Sequence, residues 1–481
     1  MPGEHTFYDG SRILEPLAST VGVEADKLNL VFCQMVSIAA AHVFYRFFPP
    51  NRTPPRTRQA FLFIVGLSLC FFCFGRAIKH LFGLIVVCYG LMRLAPSPYV
   101  HKAVFLFSMG YLTFIHWYRW YILTAYYIDV TGPMMVLVQK TTTLAFSLHD
   151  GTVKKPEELN EIQKREAIRK PPDVLEYLAY MFSFQTILTG PSFFYTDFQR
   201  FISGENLKIN GKEISRPQKP YVKFMFAGVC LVLLVFVSPS MSPEIITEEP
   251  YKSMGVISWS LLWFFVIFLQ RVQYYYVWVL ADAICNLSGF GFNGLDDEGN
   301  QRWDLVTNVH PVKVEMALSF KDTLDNWNCT TMYWLRRVAY DRVPKNLRTV
   351  STYLLSAMWH GLFLGYYITF LTGALVTVAA RITRRCLRWR FQGSAFSARF
   401  YDVLTFFATK FALAYTTFPF VTLHLNPGLQ TYKETYFCLH IICLFGIFAL
   451  PKILPPEKKR EDKKVLTDPV YGMPVNGTKK D

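Results

Sequence analysis

The sequence predicts an all-α membrane protein with many spans, on three observations. Of its 481 residues, 52% are hydrophobic and only 18% charged, against roughly 25% charged in soluble domains. Mean hydropathy is positive, at +0.22. Apolar runs approaching or exceeding the length of a bilayer-crossing helix, about 20 residues, recur from one end to the other. A soluble multi-domain protein would instead need many buried helices with almost no polar faces.

The runs fall near 29–48, 60–75, 80–96, 102–118, 120–147, 174–195, 220–240, 255–287, 349–379, 401–421 and 434–454, about eleven transmembrane or re-entrant helices. The short run 80–96 would be tilted, re-entrant or paired with a neighbour. Gly132-Pro133 and Gly190-Pro191 mark breaks. Such breaks are tolerated at membrane depth only where protein or a cavity satisfies the freed backbone groups. Between 152 and 173, Lys154, Lys155, Glu157, Glu158 and Lys170 mark a solvent loop.

The longest polar interval, 288–348, opens on Gly289, Gly291 and Gly294, a weak phosphate-loop lookalike. No strand precedes it and no P-loop lysine follows, which excludes a nucleotide fold. Within it, Asn326-Trp327-Asn328 and Tyr333 to Arg337 fit an amphipathic or partly embedded helix. Three regions are expected: a cytosolic or interfacial segment 1–28, a membrane domain 29–455, and a basic disordered tail 456–481. Residues 1–26 lack the apolar core of a cleavable signal, so the first span is expected to direct insertion.

The net charge of +15 does not call for nucleic acid, because the basic residues cluster between apolar runs. Arg381, Arg384, Arg385, Arg388, Arg390 and Arg399 form one block, and Lys458, Lys459, Arg460, Lys463 and Lys464 another. Such blocks mark the cytosolic side and attract anionic lipid. A cytosolic tail puts 422–433 in the lumen and the 381–399 block back in the cytosol. One crossing further, Arg336, Arg337, Arg342, Lys345 and Arg348 fall on the wrong side. Either the 349–379 run is bent or re-entrant, or nearby residues dip into the membrane, with Asn328 and His360 sharing an irregular interior. The ten cysteines lie mostly in apolar runs, where Cys70 and Cys73 fit packed thiols better than a metal site.

His360 stands inside the 349–379 run. A histidine at that depth is costly unless it faces a cavity or a polar partner, and so marks a functional site. Neutral imidazole can take a proton near physiological pH, the property a general base needs. Histidine also serves as a plain interhelical hydrogen bonder. Gly361 and Gly365, four apart, would leave gaps on one helix face for close approach.

Several motifs occur in order: Trp303-Asp304; Trp359-His360-Gly361 with Gly365-Tyr366; Tyr415 with Phe418-Pro419; and Tyr432, Tyr436-Phe437 and His440. Together they resemble the membrane-bound O-acyltransferase family over about 30–455. The likeness is to its lysophospholipid acyltransferase branch, in the subgroup handling phosphatidylethanolamine, phosphatidylserine and phosphatidylcholine. The resemblance implies a helical chamber within the membrane, open to cytosol and lipid. There a fatty acyl group passes from acyl-CoA, a cosubstrate, to the free hydroxyl of a lysophospholipid. It implies His360 as general base and Asn328 as its partner, with Asn326 the competing position. No cofactor and no metal are expected. Residence in the endoplasmic reticulum membrane is implied, and homo-oligomerisation stays open.

The remaining motif residues have blander roles beside the chemical ones. His440 fits a structural polar contact, and Trp303 and Asp304 fit the organisation of a cytosolic loop. Tyr366, Tyr415, Tyr432 and Tyr436 fit either a chamber lining or an interfacial aromatic belt. Protein, sterol or diacylglycerol acceptors are alternatives within the superfamily. The other large class of glycerolipid acyltransferases carries His followed five residues later by Asp, a spacing absent from all ten histidines. A transporter would use intramembrane acids such as Asp129 and Asp282, but no internal repeat accompanies them.

Overall fold

The computed structural model describes residues 8–122, 128–209, 212–214 and 220–456, and two-residue strands at 466–467 and 474–475. Most of the expected 456–481 tail, and the first seven residues, lie outside the described residues. Among the described residues, six helical stretches are long and apolar enough to cross a membrane: Ala25–Phe47, Pro55–Leu94, Pro220–Ser240, Val256–Leu287, Leu364–Phe391 and Ala395–Thr422. Cys438–Phe448 is a shorter apolar helix. The class is the all-α membrane architecture expected from composition. The chain divides into two compact units, one of Met1–Met225, Val277–Asn308 and Val465–Asp481, the other of Phe226–Tyr276 and Val309–Lys464.

In the first unit the runs 60–75 and 80–96 are two helices, Pro55–Phe74 and Ile78–Leu94, joined by a 3-10 turn at Gly75–Ala77. The 120–147 run divides ahead of Gly132-Pro133, not at it, because both residues lie within the first turn of the second helix. Helix Val100–Ile122 ends before it, and helix Thr131–Val153 begins with Pro133 in its first turn, where a missing N–H costs nothing. Almost every residue of that helix from Met134 to Asp150 is buried. The 174–195 run makes only a two-turn helix, Val174–Met181, followed by buried non-helical chain up to helix Tyr195–Ser203. It therefore does not form one continuous helix. The Gly190-Pro191 break keeps its backbone bonded, with Gly190 N–H donating to Thr186 O at 2.7 Å, as irregular chain inside protein must.

The second unit is built around Trp263, Val266, Ile267, Val376, Tyr415, Phe418, Tyr432, Leu439 and Cys443. Here the 349–379 run breaks. Helix Arg348–His360 stops at Gly361, whose φ of 137° ends it, and helix Leu364–Leu387 follows. The 13-residue first helix is only about 20 Å long, short of a roughly 30 Å hydrocarbon core. It folds back along the second helix. Tyr353 Oη meets Thr377 Oγ1 at 2.6 Å, and the Tyr353 and Phe370 rings lie 6.2 Å apart. The pair is an antiparallel helical hairpin with His360 near its tip. In such a hairpin Arg348 and Arg381 lie toward the same, open end.

Without a strong hydrophobic drive between helices in lipid, close packing must hold them together. Gly365 supplies it: a Cβ there would lie 2.0 Å from Pro419 O and 2.7 Å from Leu423 O. Gly365 N–H donates to Leu423 O at 3.0 Å. The hairpin tip is thereby fastened to the end of helix Ala395–Thr422, which begins on a Ser394 cap accepting from Ser397 N–H.

Candidate active site

His360 is the last residue of its helix and is half-buried among aromatic rings. Phe370 stacks on the imidazole at 5.3 Å and 25°. Phe420 and Trp359 meet it edge-on at 5.0 and 4.7 Å, and the Tyr366 ring lies 5.7 Å away.

Asn328 opens helix Cys329–Val338 in the left-handed conformation, φ 50° and ψ 48°. Asparagine tolerates that region better than most residues, and its carbonyl accepts the N–H of Met332 at 3.1 Å. The two helices that carry Asn328 and His360 meet through Trp334 and Trp359, ring centroids 5.7 Å apart. Both indoles are buried, at 2% and 6% exposed. Asn326 is placed differently: its amide nitrogen donates back to Asp322 O at 2.8 Å, closing its own turn.

Behind Asn328 stands a network that sequence reasoning missed. Trp327 packs edge-on against Tyr274 and Tyr275, at 5.6 and 5.8 Å. Tyr275 Oη donates to Glu315 Oε1 at 2.6 Å. Arg271 grips Glu315 with Nε and Nη2 at 2.8 and 2.7 Å, and Lys410 Nζ donates to Oε2 at 3.1 Å. Burial pushes the Glu315 carboxyl up, but the Arg271 fork, the Tyr275 hydroxyl and the Lys410 charge outweigh it and hold it down at about 2. The signal was present: Arg271 and Lys410 each stand within an apolar run, where a cation is expensive and marks function.

The third and fourth motifs assemble a second cluster in this unit. Tyr415 and Tyr432 stack at 4.3 Å and 6°, and Tyr432 Oη donates to Tyr415 O at 3.3 Å. His440 is bonded on both ring nitrogens, Nδ1 with Tyr415 Oη at 3.1 Å and Nε2 with Thr372 Oγ1 at 3.2 Å. Pro419 lies inside the last turns of helix Ala395–Thr422, its ring against Gly428. Tyr436 and Phe437 are consecutive left-handed residues, φ 53° and 50°, in the turn between helices Leu425–Glu434 and Cys438–Phe448. Tyr436 is 84% exposed, so it does not line this interior.

Trp303 and Asp304 belong to the first unit. Asp304 accepts from Asn293 Nδ2 at 2.8 Å and Arg302 Nη2 at 3.0 Å. The Trp303 carbonyl accepts from Lys223 Nζ at 3.1 Å and Asn286 Nδ2 at 3.3 Å. These contacts tie down the 289–305 loop. Lys223 also pairs with the buried Asp282 at 2.7 Å.

The chain matches the family model of MBOAT, the membrane-bound O-acyltransferase family, over residues 114–417. It is 39% identical over 473 residues to Lysophospholipid acyltransferase 6 of Drosophila melanogaster, covering 95% of this chain and 65% of that protein. Against Membrane-bound glycerophospholipid O-acyltransferase 1 of Homo sapiens the identity is 38% over 461 residues, covering 92% of each. Against Lysophospholipid acyltransferase of Schizosaccharomyces pombe it is 32% over 484 residues, covering 94% of this chain and 91% of the relative. With the family model spanning more than half of the sequence and relatives aligned along nearly all of it, the chain belongs to the membrane-bound O-acyltransferase family and is an acyltransferase.

Proposed function

We propose that the protein is an acyl-CoA:lysophospholipid O-acyltransferase of the endoplasmic reticulum membrane. Its acceptors are lysophosphatidylethanolamine, -serine or -choline, and no cofactor or metal takes part. Residues 29–455 form the catalytic domain, between the 1–28 segment and the basic tail. The observation that carries this reading is His360 at the tip of a helical hairpin, one helix packing away from an asparagine held in a left-handed turn. The names of the relatives support the substrate class.

The reaction follows from these residues. An alcohol is a weak nucleophile at neutral pH. His360 takes the hydroxyl proton as the lysolipid oxygen attacks the thioester carbon, and the carbonyl electron pair moves onto oxygen. Asn328 donates to that oxyanion or holds the attacking hydroxyl. When the tetrahedral centre collapses, the C–S bond breaks. The thiolate of CoA then takes the proton from the imidazolium, leaving no acyl-enzyme.

The test is acyl transfer from labelled oleoyl-CoA in membranes holding the full chain, offered lysophospholipids of several head groups, a sterol, diacylglycerol and an acceptor peptide. Labelled phospholipid as the main product is the expected result. Label confined to sterol, diacylglycerol or peptide would overturn the acceptor assignment.

A further inference from the structure

A pocket of about 230 Å³ lies in the second unit between helices Val256–Leu287 and Ala395–Thr422. One water needs only about 10–15 Å³ of such space. Its walls divide by chemistry. Phe264, Phe265, Phe268, Leu413 and Ala414 make an apolar side, and Arg271, Lys410 and Glu315 a charged one. Phe265 is 42% exposed, so the pocket opens on the outer face of a helix that is long and apolar enough to cross a membrane.

The charged side is built. Both cations sit near the middle of helices long and apolar enough to cross a membrane, and both are largely buried, 12% and 16% exposed. Glu315 accepts four hydrogen bonds and locks the two cations in place. Donor capacity is left over. Of the three N–H groups of Lys410, one goes to Glu315 and one to Val314 O at 3.2 Å. Of the five on Arg271, two go to Glu315 and one to Ile267 O at 3.3 Å. Two cations against one carboxylate leave a net charge of one positive, at a depth where an uncompensated charge is expensive.

We propose that this pocket binds the phosphodiester of a glycerophospholipid, with the acyl chain lying over Phe264, Phe265 and Phe268. A phosphodiester carries one negative charge and accepts the spare N–H donors of Arg271 and Lys410. The apolar wall takes the chain, and entry is lateral, from the bilayer. Bilayer phospholipid and a lysophospholipid share this chemistry. If the lysophospholipid is the occupant, the site rests on the acyltransferase reading above and is its acceptor subsite.

Binding is measured without acyl-CoA, so it does not depend on turnover. Detergent-solubilised full-length protein is titrated with labelled oleoyl-lysophosphatidylcholine and, separately, with monooleoylglycerol, which lacks the phosphate. Lys410→Gln is expected to weaken lysophosphatidylcholine about tenfold or more, to leave monooleoylglycerol unchanged, and to be rescued by Lys410→Arg. Phe265→Ala is expected to weaken both lipids. Each variant must keep the wild-type elution volume and unfolding midpoint; for one that does not, Lys410→Met and Phe265→Leu are read instead. Competition by dioleoylphosphatidylcholine equal to the lysolipid identifies bilayer lipid as the occupant, and competition by lysolipid alone identifies the acceptor. Equal affinity for lysophosphatidylcholine in wild type and the Lys410 variants would overturn the proposal, even with transferase activity intact.

Discussion

At the residue scale, the two histidines of the motifs differ in their contacts. His440 has both ring nitrogens occupied by Tyr415 and Thr372, so its expected contribution is to packing. His440→Ala should cost about 1–3 kcal/mol of stability through unpaired partners, read as a lower unfolding midpoint, with less loss of turnover per folded molecule than His360→Ala. Asn328 allows a cleaner separation. Glycine accepts its φ of 50° without strain, so Asn328→Gly removes the amide and keeps the turn. Loss of one oxyanion donor typically costs roughly 10²–10³ in kcat, and Asn328→Gly is expected to fall in that range with its unfolding midpoint nearly unchanged. A midpoint fall matching that of a core substitution would make Asn328 a structural residue.

At the element scale, the hairpin is the device that places His360. Gly365→Ala would set a methyl 2.0 Å from the Pro419 carbonyl. Backbone must move, and overpacking of this kind costs about 1–3 kcal/mol. The expected readout is a lower unfolding midpoint together with reduced activity, because the same tip carries His360. The hairpin was half legible in the sequence. The basic residues 336–348, irreconcilable with one straight crossing, signalled a bend. Hydropathy could not locate it, because Gly361 is one residue in a run apolar on both sides. The side-by-side path of the two helices became visible only through Tyr353 on Thr377. For the same reason the 174–195 run looks like a span: its side chains are buried in protein, and a hydropathy pattern does not distinguish protein from lipid.

At the scale of the whole molecule, the hairpin dictates sidedness. A single cysteine placed at 345 and another at 393 should be labelled from the same side of sealed membranes by an impermeant reagent. Labelling from opposite sides would restore the straight crossing. The buried ion network adds a pH dependence. Glu315 is held at about 2, below its ordinary 4.5, so it favours the folded state at neutral pH. That stabilisation shrinks as pH falls below about 4.5 and is gone below about 2. The gap in unfolding midpoint between wild type and Glu315→Gln should close over that window. Composition made the membrane class legible, and ordered motifs made the His360 region legible. The Arg271–Glu315–Lys410 cluster was not, because its members lie 44 and 95 residues apart in sequence and only folding brings them together. That His360 is the base is tested by transfer of the labelled oleoyl group from oleoyl-CoA to the preferred lysophospholipid by wild type and His360→Ala at matched folded amounts. A loss of about 10²-fold or more is expected in the variant, with acyl-CoA still bound; full activity in the variant would remove His360 as the base.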